Sequence, residues 1–155
     1  MADFTYLKGN MYPIARYSSS DAGEGYWFHW TQVDLAYLHS ILFTTSFFYD
    51  SLEGQNSERT KYHSYRTISE LNKQLADSTT ALSDSTTTVV MAMALVAGCF
   101  GDIESSHIHL AGLKRIIDLR GGMASYINRP LLQSKLYRSV VFPFCPTQSF
   151  ADDDA

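Results

Sequence analysis

Residues 83–122 read Ser83-Asp84-Ser85-Thr86-Thr87-Thr88-Val89-Val90-Met91-Ala92-Met93-Ala94-Leu95-Val96-Ala97-Gly98-Cys99-Phe100, then Gly101-Asp102, then Ile103-Glu104-Ser105-Ser106-His107-Ile108-His109-Leu110-Ala111-Gly112-Leu113-Lys114-Arg115-Ile116-Ile117-Asp118-Leu119-Arg120-Gly121-Gly122. Ser83 or Asp84 can cap a helix, because either side-chain oxygen accepts an orphan amide of the first turn. The helix that follows is apolar on every face. Met91, Ala92, Met93, Ala94, Ala97 and Gly98 give it small or adaptable surfaces, which predicts a central helix packed on more than one side. Its uncharged run from Val89 to Phe100 would rise only about 18 Å, against roughly 30 Å for a hydrocarbon core, so it reads as a core helix and not a membrane span. Cys99 within it reads as an inert buried thiol. Gly101-Asp102 breaks this helix and caps the next, where Leu110, Leu113 and Ile117 form a stripe and Lys114 with Asp118 makes an i, i+4 pair. Gly121 suits the left-handed position that closes a helix, and Arg120 in the last turn complements the helix dipole.

Periodicity extends the helical reading in both directions. From Thr31, Leu35, Leu38, Leu42, Thr45, Phe48 and Tyr49 recur three to four residues apart until Asp50, Glu53 and Gly54 close the segment. Ser57-Glu58 opens a second, amphipathic stretch with Tyr65, Ile68, Leu71 and Leu75 as its stripe and Glu58, Lys61, Arg66, Glu70 and Lys73 left for solvent. A last helix starts at Pro130, carries Leu131, Leu132, Leu136, Val140 and Val141, and is stopped by Pro143 and Pro146. Nothing alternates as strands do. The expected architecture is therefore all-α, antiparallel helical hairpins over residues 31–141. An irregular aromatic arm is expected over residues 1–30, and a disordered acidic tail over residues 142–155, where Asp152-Asp153-Asp154 offers nothing to bury.

Composition bounds the function. The 155 residues are 45% hydrophobic and 18% charged, enough apolar material for one core. A net charge of −4 argues against a chain whose main partner is a polyanion. Cys99 and Cys145, the two cysteines, exclude a disulfide scaffold and any zinc site built on four or six thiolates, and they suit a reducing compartment. Met1-Ala2-Asp3-Phe4 has an acid where a signal peptide needs a basic region.

Candidate chemistry is sparse. His107 and His109, two apart on a helix, point about 200° from one another and cannot chelate one ion. There is no Gly-x-Ser-x-Gly elbow, and the glycines supply no phosphate loop. No catalytic residue, metal ligand or cofactor site is assigned, and the chain is not expected to be an enzyme. The window from Lys114 to Arg138 does hold six basic residues, Lys114, Arg115, Arg120, Arg129, Lys135 and Arg138, against the single acid Asp118. Such a face could meet an acidic partner or nucleic acid, though a solvated surface explains it as well, since one helix and the next contribute these residues.

The segment from Leu82-Ser83-Asp84 to Gly122 resembles the regulatory domain of fungal zinc-cluster transcription factors. In that family a Gly-Asp step precedes a helix with His-Leu-x-Gly-Leu that ends at Arg-Gly-Gly. Here those positions are Gly101, Asp102, His109, Leu110, Gly112, Leu113, Arg120, Gly121 and Gly122. Leu38-His39-Ser40-Ile41-Leu42 and Tyr62-His63-Ser64-Tyr65 are similar to the family's preceding helix pair, so residues 27–136 are covered. These residues read as a fold signature, with Gly112 allowing a neighbouring helix to approach closely. One departure is Ser106, where the family often has tryptophan. The resemblance implies a non-enzymatic, nuclear transcription-regulator domain. The family's six-cysteine, DNA-reading zinc cluster cannot be built from two cysteines, so no direct sequence-specific DNA binding is expected. Because the family's helical domain runs further than Arg138, a fragment or truncated paralogue is expected. Its partners are expected to be proteins, a second copy through apolar surface left uncovered on the Val89–Phe100 helix, or a small apolar effector held by that Met- and Ala-rich helix.

Overall fold

The computed structural model describes residues 29–141. Most of residues 1–30, the residues 142–155 and Cys145 lie outside the described part. A helical turn at residues 29–33 leads in, and Trp30 packs edge-on against Tyr37, ring centroids 5.4 Å apart. Then come α1 (Leu35–Glu53), α2 (Glu58–Ala76), α3 (Asp84–Cys99), α4 (Ile103–Arg120), a 3-10 turn (Met123–Tyr126) and α5 (Pro130–Val141). No strand occurs among the described residues, and the all-α expectation is met.

Each boundary has a local chemical cause. Asp34, Ser57, Ser83 and Asp102 are the N-caps, each accepting a backbone amide three residues on. Gly54 (φ +64°) and Gly121 (φ +107°) take the left-handed conformation that ends α1 and α4. The loop after Gly54 is held by Asp50, which accepts from the Ser57 amide at 2.7 Å and the Ser57 hydroxyl at 2.9 Å. Its carboxyl is thereby drawn below the usual range, the backbone donor contributing most.

The helices form two antiparallel hairpins, α1–α2 and α3–α4, with α5 returning across α3. As its composition predicts, α3 is central: ten of its sixteen residues are buried, and it packs against α1, α2, α4 and α5. Around Val89, Val90 and Met91 the core gathers Ala36, Tyr37, Leu71, Leu113, Ile116, Ile117, Tyr126, Leu132 and Leu136.

Several faces differ from the sequence expectation. On α1 the inward residues are Ala36, Tyr37, His39, Ser40 and Phe43, while Leu35, Leu42, Phe48 and Tyr49 are exposed. On α2 the inward residues are Thr60, Thr67, Glu70 and Leu71, and Tyr65, Ile68 and Leu75 are exposed. The reason lies in small hydroxyl side chains. The Ser40 hydroxyl donates to the Tyr37 carbonyl at 2.7 Å and the Thr67 hydroxyl to the His63 carbonyl at 2.8 Å, so both enter the core with their polar atoms satisfied. Glu70, expected in solvent, is buried against α1 with Lys73 and Arg66 on its carboxylate at 2.9 and 3.1 Å. Among the described residues no ion pair joins Lys114 to Asp118. Cys99, at the carboxyl end of α3, is exposed and not buried.

Candidate interaction surface

The motif residues divide between two ends of the molecule. At one end meet the start of α1, the end of α2, the start of α3 and the end of α4. Asp34, besides capping α1, accepts from Gln74 at 2.8 Å and from the Ser85 hydroxyl at 2.5 Å, which ties three helices at one carboxylate. A second carboxylate, Asp84, holds the other hairpin. Arg120 Nη1 lies 2.5 Å from one of its oxygens and Arg129 Nε 3.0 Å from the other. The Arg120 guanidinium also donates to the Leu82 carbonyl at 3.1 Å and lies 4.2 Å over the ring of fully buried Tyr126, whose hydroxyl is 3.2 Å from Thr87. Arg120 is thus more than a dipole partner. With Gly121 and Gly122 (φ +81°) turning the chain behind it, it locks the carboxyl end of α4 onto the start of α3.

The remaining motif positions are structural or peripheral. Gly101 (φ +84°) makes the α3–α4 turn and Asp102 caps α4 through the Ser105 amide at 3.0 Å. Leu113 is fully buried and Leu110 packs on the core from its edge. Gly112 does not mediate a close approach: it lies on the exposed face of α4, and a Cβ there would meet no atom within 4 Å. The close α3–α4 contact is made by Ser106 instead, whose buried hydroxyl donates to the Ala94 carbonyl at 2.8 Å. Of the basic window, Arg120 and Arg129 are engaged with Asp84. Lys114, Arg115 and Arg138 stand exposed and Lys135 is half-buried.

Opposite the clamped end, between the two hairpins, is an apolar cleft of about 260 Å³ floored by Met93, Val96 and Ala97 of α3. Its walls are aromatic: Phe43 and Phe47 of α1, with Phe47 edge-on to Phe100 at 4.4 Å. His109 and Asp102 edge it from the α4 side. A shallower depression of about 440 Å³ shares Phe43, Phe47, Ser64 and Ile68 and runs out past Tyr65 and Lys61. His107 is exposed while His109 is half-buried at the cleft, with burial holding the latter below the usual imidazole range against the opposing pull of Asp102.

A histidine pair between α1 and α2 has no local sequence signal. His39 Nδ1 and His63 Nδ1 are 3.0 Å apart, twenty-four residues apart in the chain, with Tyr62 edge-on to His39. One hydrogen bond at that distance requires one ring to donate and the other to accept. Burial, then His63 and Arg66, push His39 below its usual range, and Glu70 pulls the other way. Among the described residues no three His, Cys, Asp or Glu side chains gather where an ion could sit, and no helix is long and apolar enough to cross a membrane.

The sequence of residues 5–145 matches the family model described as fungal specific transcription factor domain, and no zinc-cluster domain is detected. No curated protein and no solved structure matches the chain.

Proposed function

Because the chain belongs to the fungal specific transcription factor domain family, we propose that it is a non-enzymatic regulatory domain that works in the nucleus through protein contacts. With two cysteines the chain builds no six-cysteine cluster, so DNA targeting comes from elsewhere. The observation that supports contact through helix faces is the outward turn of apolar side chains on the α1–α2 hairpin: Leu42, Tyr49 and Leu52 on α1 and Tyr62, Tyr65 and Ile68 on α2 are all exposed. A monomeric domain rarely leaves so many large apolar residues on one hairpin unless that surface meets a partner. The polar core between the same helices needs none of them.

The experiment fuses residues 1–155 to an unrelated DNA-binding domain and reads a reporter gene in yeast. A shift in reporter output relative to the DNA-binding domain alone is expected, and Tyr65→Asp with Ile68→Asp should return it to that baseline while leaving the helical circular dichroism intact. Output equal to the baseline for the unaltered chain refutes the reading. A second reading, an effector-binding module, is favoured by the cleft at Phe43, Phe47, Met93 and Phe100. Its volume of about 260 Å³ lies just under the roughly 300–1,000 Å³ of drug-sized ligand sites, so a small apolar group suits it better than an extended ligand.

A further inference from the structure

Between α1 and α2 a single proton joins two imidazoles. His39 Nδ1 and His63 Nδ1 are 3.0 Å apart, so one nitrogen donates and the other keeps its lone pair free to accept. The accepting ring then carries its proton on Nε2. A first added proton can enter at Nε2 of the donor ring and leave this bond in place, now charge-assisted. A second has only the accepting Nδ1 left to take it, which cancels the bond and sets two imidazolium N–H groups against one another. The contact therefore tolerates one positive charge and not two, a property of the pair that neither ring has alone.

The surroundings leave a second charge uncompensated. From α2, Arg66 acts on His39 as a further cation and Glu70 as the opposing anion, and Glu70 is already shared between Lys73 at 2.9 Å and Arg66 at 3.1 Å. Tyr62 packs edge-on to both rings, with centroids 6.0 Å from His39 and 5.2 Å from His63. On α1 itself the other titratable side chains before Asp50 are Tyr37 and Tyr49. The other helix packed against α1, α3, carries Asp84 at its first residue and Cys99 at its last, and nothing titratable between. His39 is also buried, which penalises its charged form. Phe43 lies one turn beyond His39 and Ser64 follows His63, and both line the depression between α1 and α2. The ties elsewhere use no imidazole: Asp34 with Gln74 and Ser85, Asp50 with Ser57, and Asp84 with Arg120 and Arg129. We propose that the His39–His63 pair is a pH-sensitive latch: uptake of a second proton parts the middle of α1 from α2, and Phe43 from Ser64, while α3, α4 and α5 stay packed. Because the separated rings take a proton that the paired rings refuse, the latch is fully closed above the ordinary imidazole value of about 6.5 and loosens below it.

Solution NMR of the whole nitrogen-15-labelled chain tests the latch. At about pH 7.5 one of the two rings should carry its proton on Nδ1 and the other on Nε2, as read from the imidazole nitrogen shifts; two rings protonated on Nε2 overturn the pair. As pH is lowered to about 5.5, amide exchange in α1 and α2, corrected for its intrinsic rate and referred to α3, should speed up by about tenfold for each pH unit below the second proton uptake. His63→Gln keeps an amide beside His39 but cannot become a second cation, so it should abolish that pH dependence, and His109→Gln should leave it unchanged. Acid-sensitive exchange that persists in His63→Gln assigns the effect to the burial of His39 alone and overturns the latch. Exchange that rises equally in α1, α2 and α3 is global unfolding and overturns it too. Should His63→Gln fail to fold, the tautomers and the exchange pattern of the unaltered chain decide by themselves.

Discussion

Replacing Arg120 by alanine tests the reading of Arg120-Gly121-Gly122 as a clamp. The substitution removes the partner 2.5 Å from an Asp84 carboxylate only 9% exposed, the bond to the Leu82 carbonyl and the cation over Tyr126. Stripping one partner from a buried ion pair costs about 3–5 kcal/mol when nothing replaces it. Here Arg129 remains 3.0 Å from the other Asp84 oxygen, on a half-exposed side chain. The carboxylate is therefore not abandoned, and the expected loss falls to about 2–3 kcal/mol. Arg120→Lys keeps the charge but not the planar fork that reaches Asp84 and Leu82 together while lying on the ring, so it should lose about 1–2 kcal/mol. Urea unfolding followed by circular dichroism measures both; with a slope of about 1–3 kcal/mol per molar, the alanine midpoint should drop by about 0.7 M or more. A double-mutant cycle with Asp84→Ala should give a coupling of about 1–2 kcal/mol. If Arg120→Ala stays within about 0.5 kcal/mol of the unaltered chain, Arg120 behaves as an ordinary surface residue and the clamp is refuted.

Three further outcomes follow from the geometry. His39 and His109 are both held below their usual value of 6.5 mainly by burial, so the folded chain binds fewer protons than the unfolded one as pH falls through that value. Stability is therefore full above about pH 6.5 and lost below it: the urea midpoint should fall from pH 7.5 to about 5.5, His39→Gln with His109→Gln should flatten the fall, and a midpoint that rises instead counts against it. The carboxyls of Asp50, Glu70, Asp77 and Asp102 are drawn down and contribute their loss only at more acid pH. Gly121→Ala, at φ +107°, should destabilise by about 1 kcal/mol or more, whereas Gly112→Ala, in an exposed helix interior with open space, should stabilise by about 0.5–1 kcal/mol; equal melting shifts would contradict this. Cys99 should react with a maleimide in the native chain as fast as an exposed thiol peptide, and protection until denaturant is added would show that it is covered.

The caps, the breaks and the centrality of α3 were legible because they rest on local chemistry: an oxygen three residues before an amide, a glycine where φ must be positive, an apolar surface on every side. Which faces of α1 and α2 turn inward was not. Hydrophobic periodicity counts Leu35, Leu42 and Tyr49 and gives no weight to Ser40 or Thr67, yet a hydroxyl satisfied by its own helix packs in the core as a small side chain. Longer links were partly legible in principle. Asp84 and Arg120 stand seventeen and nineteen residues on either side of Gly101, so folding the hairpin is enough to bring them together. The His39–His63 contact spans two helices with no comparable marker, and it needed the α1–α2 packing to be seen.

The two ends of the molecule answer to different demands. Asp34 and Asp84 each gather donors from separate helices at one end, which fixes the relative height of all four long helices with few residues. That arrangement relieves the outward faces of α1 and α2 of any part in holding the fold, since their inward faces and the two carboxylates suffice. Polar replacements at Leu42 or Tyr49 should then cost little stability, within about 0.5 kcal/mol for surface positions, while changing what the chain meets. The clamp residues should behave oppositely: substitutions at Asp84, Arg120 or Gly121 lower stability by about 1–3 kcal/mol and leave what the folded chain meets unchanged. A screen that scores stability and association separately should accordingly place the clamp residues on the first axis and the outward residues Leu42 and Tyr49 on the second.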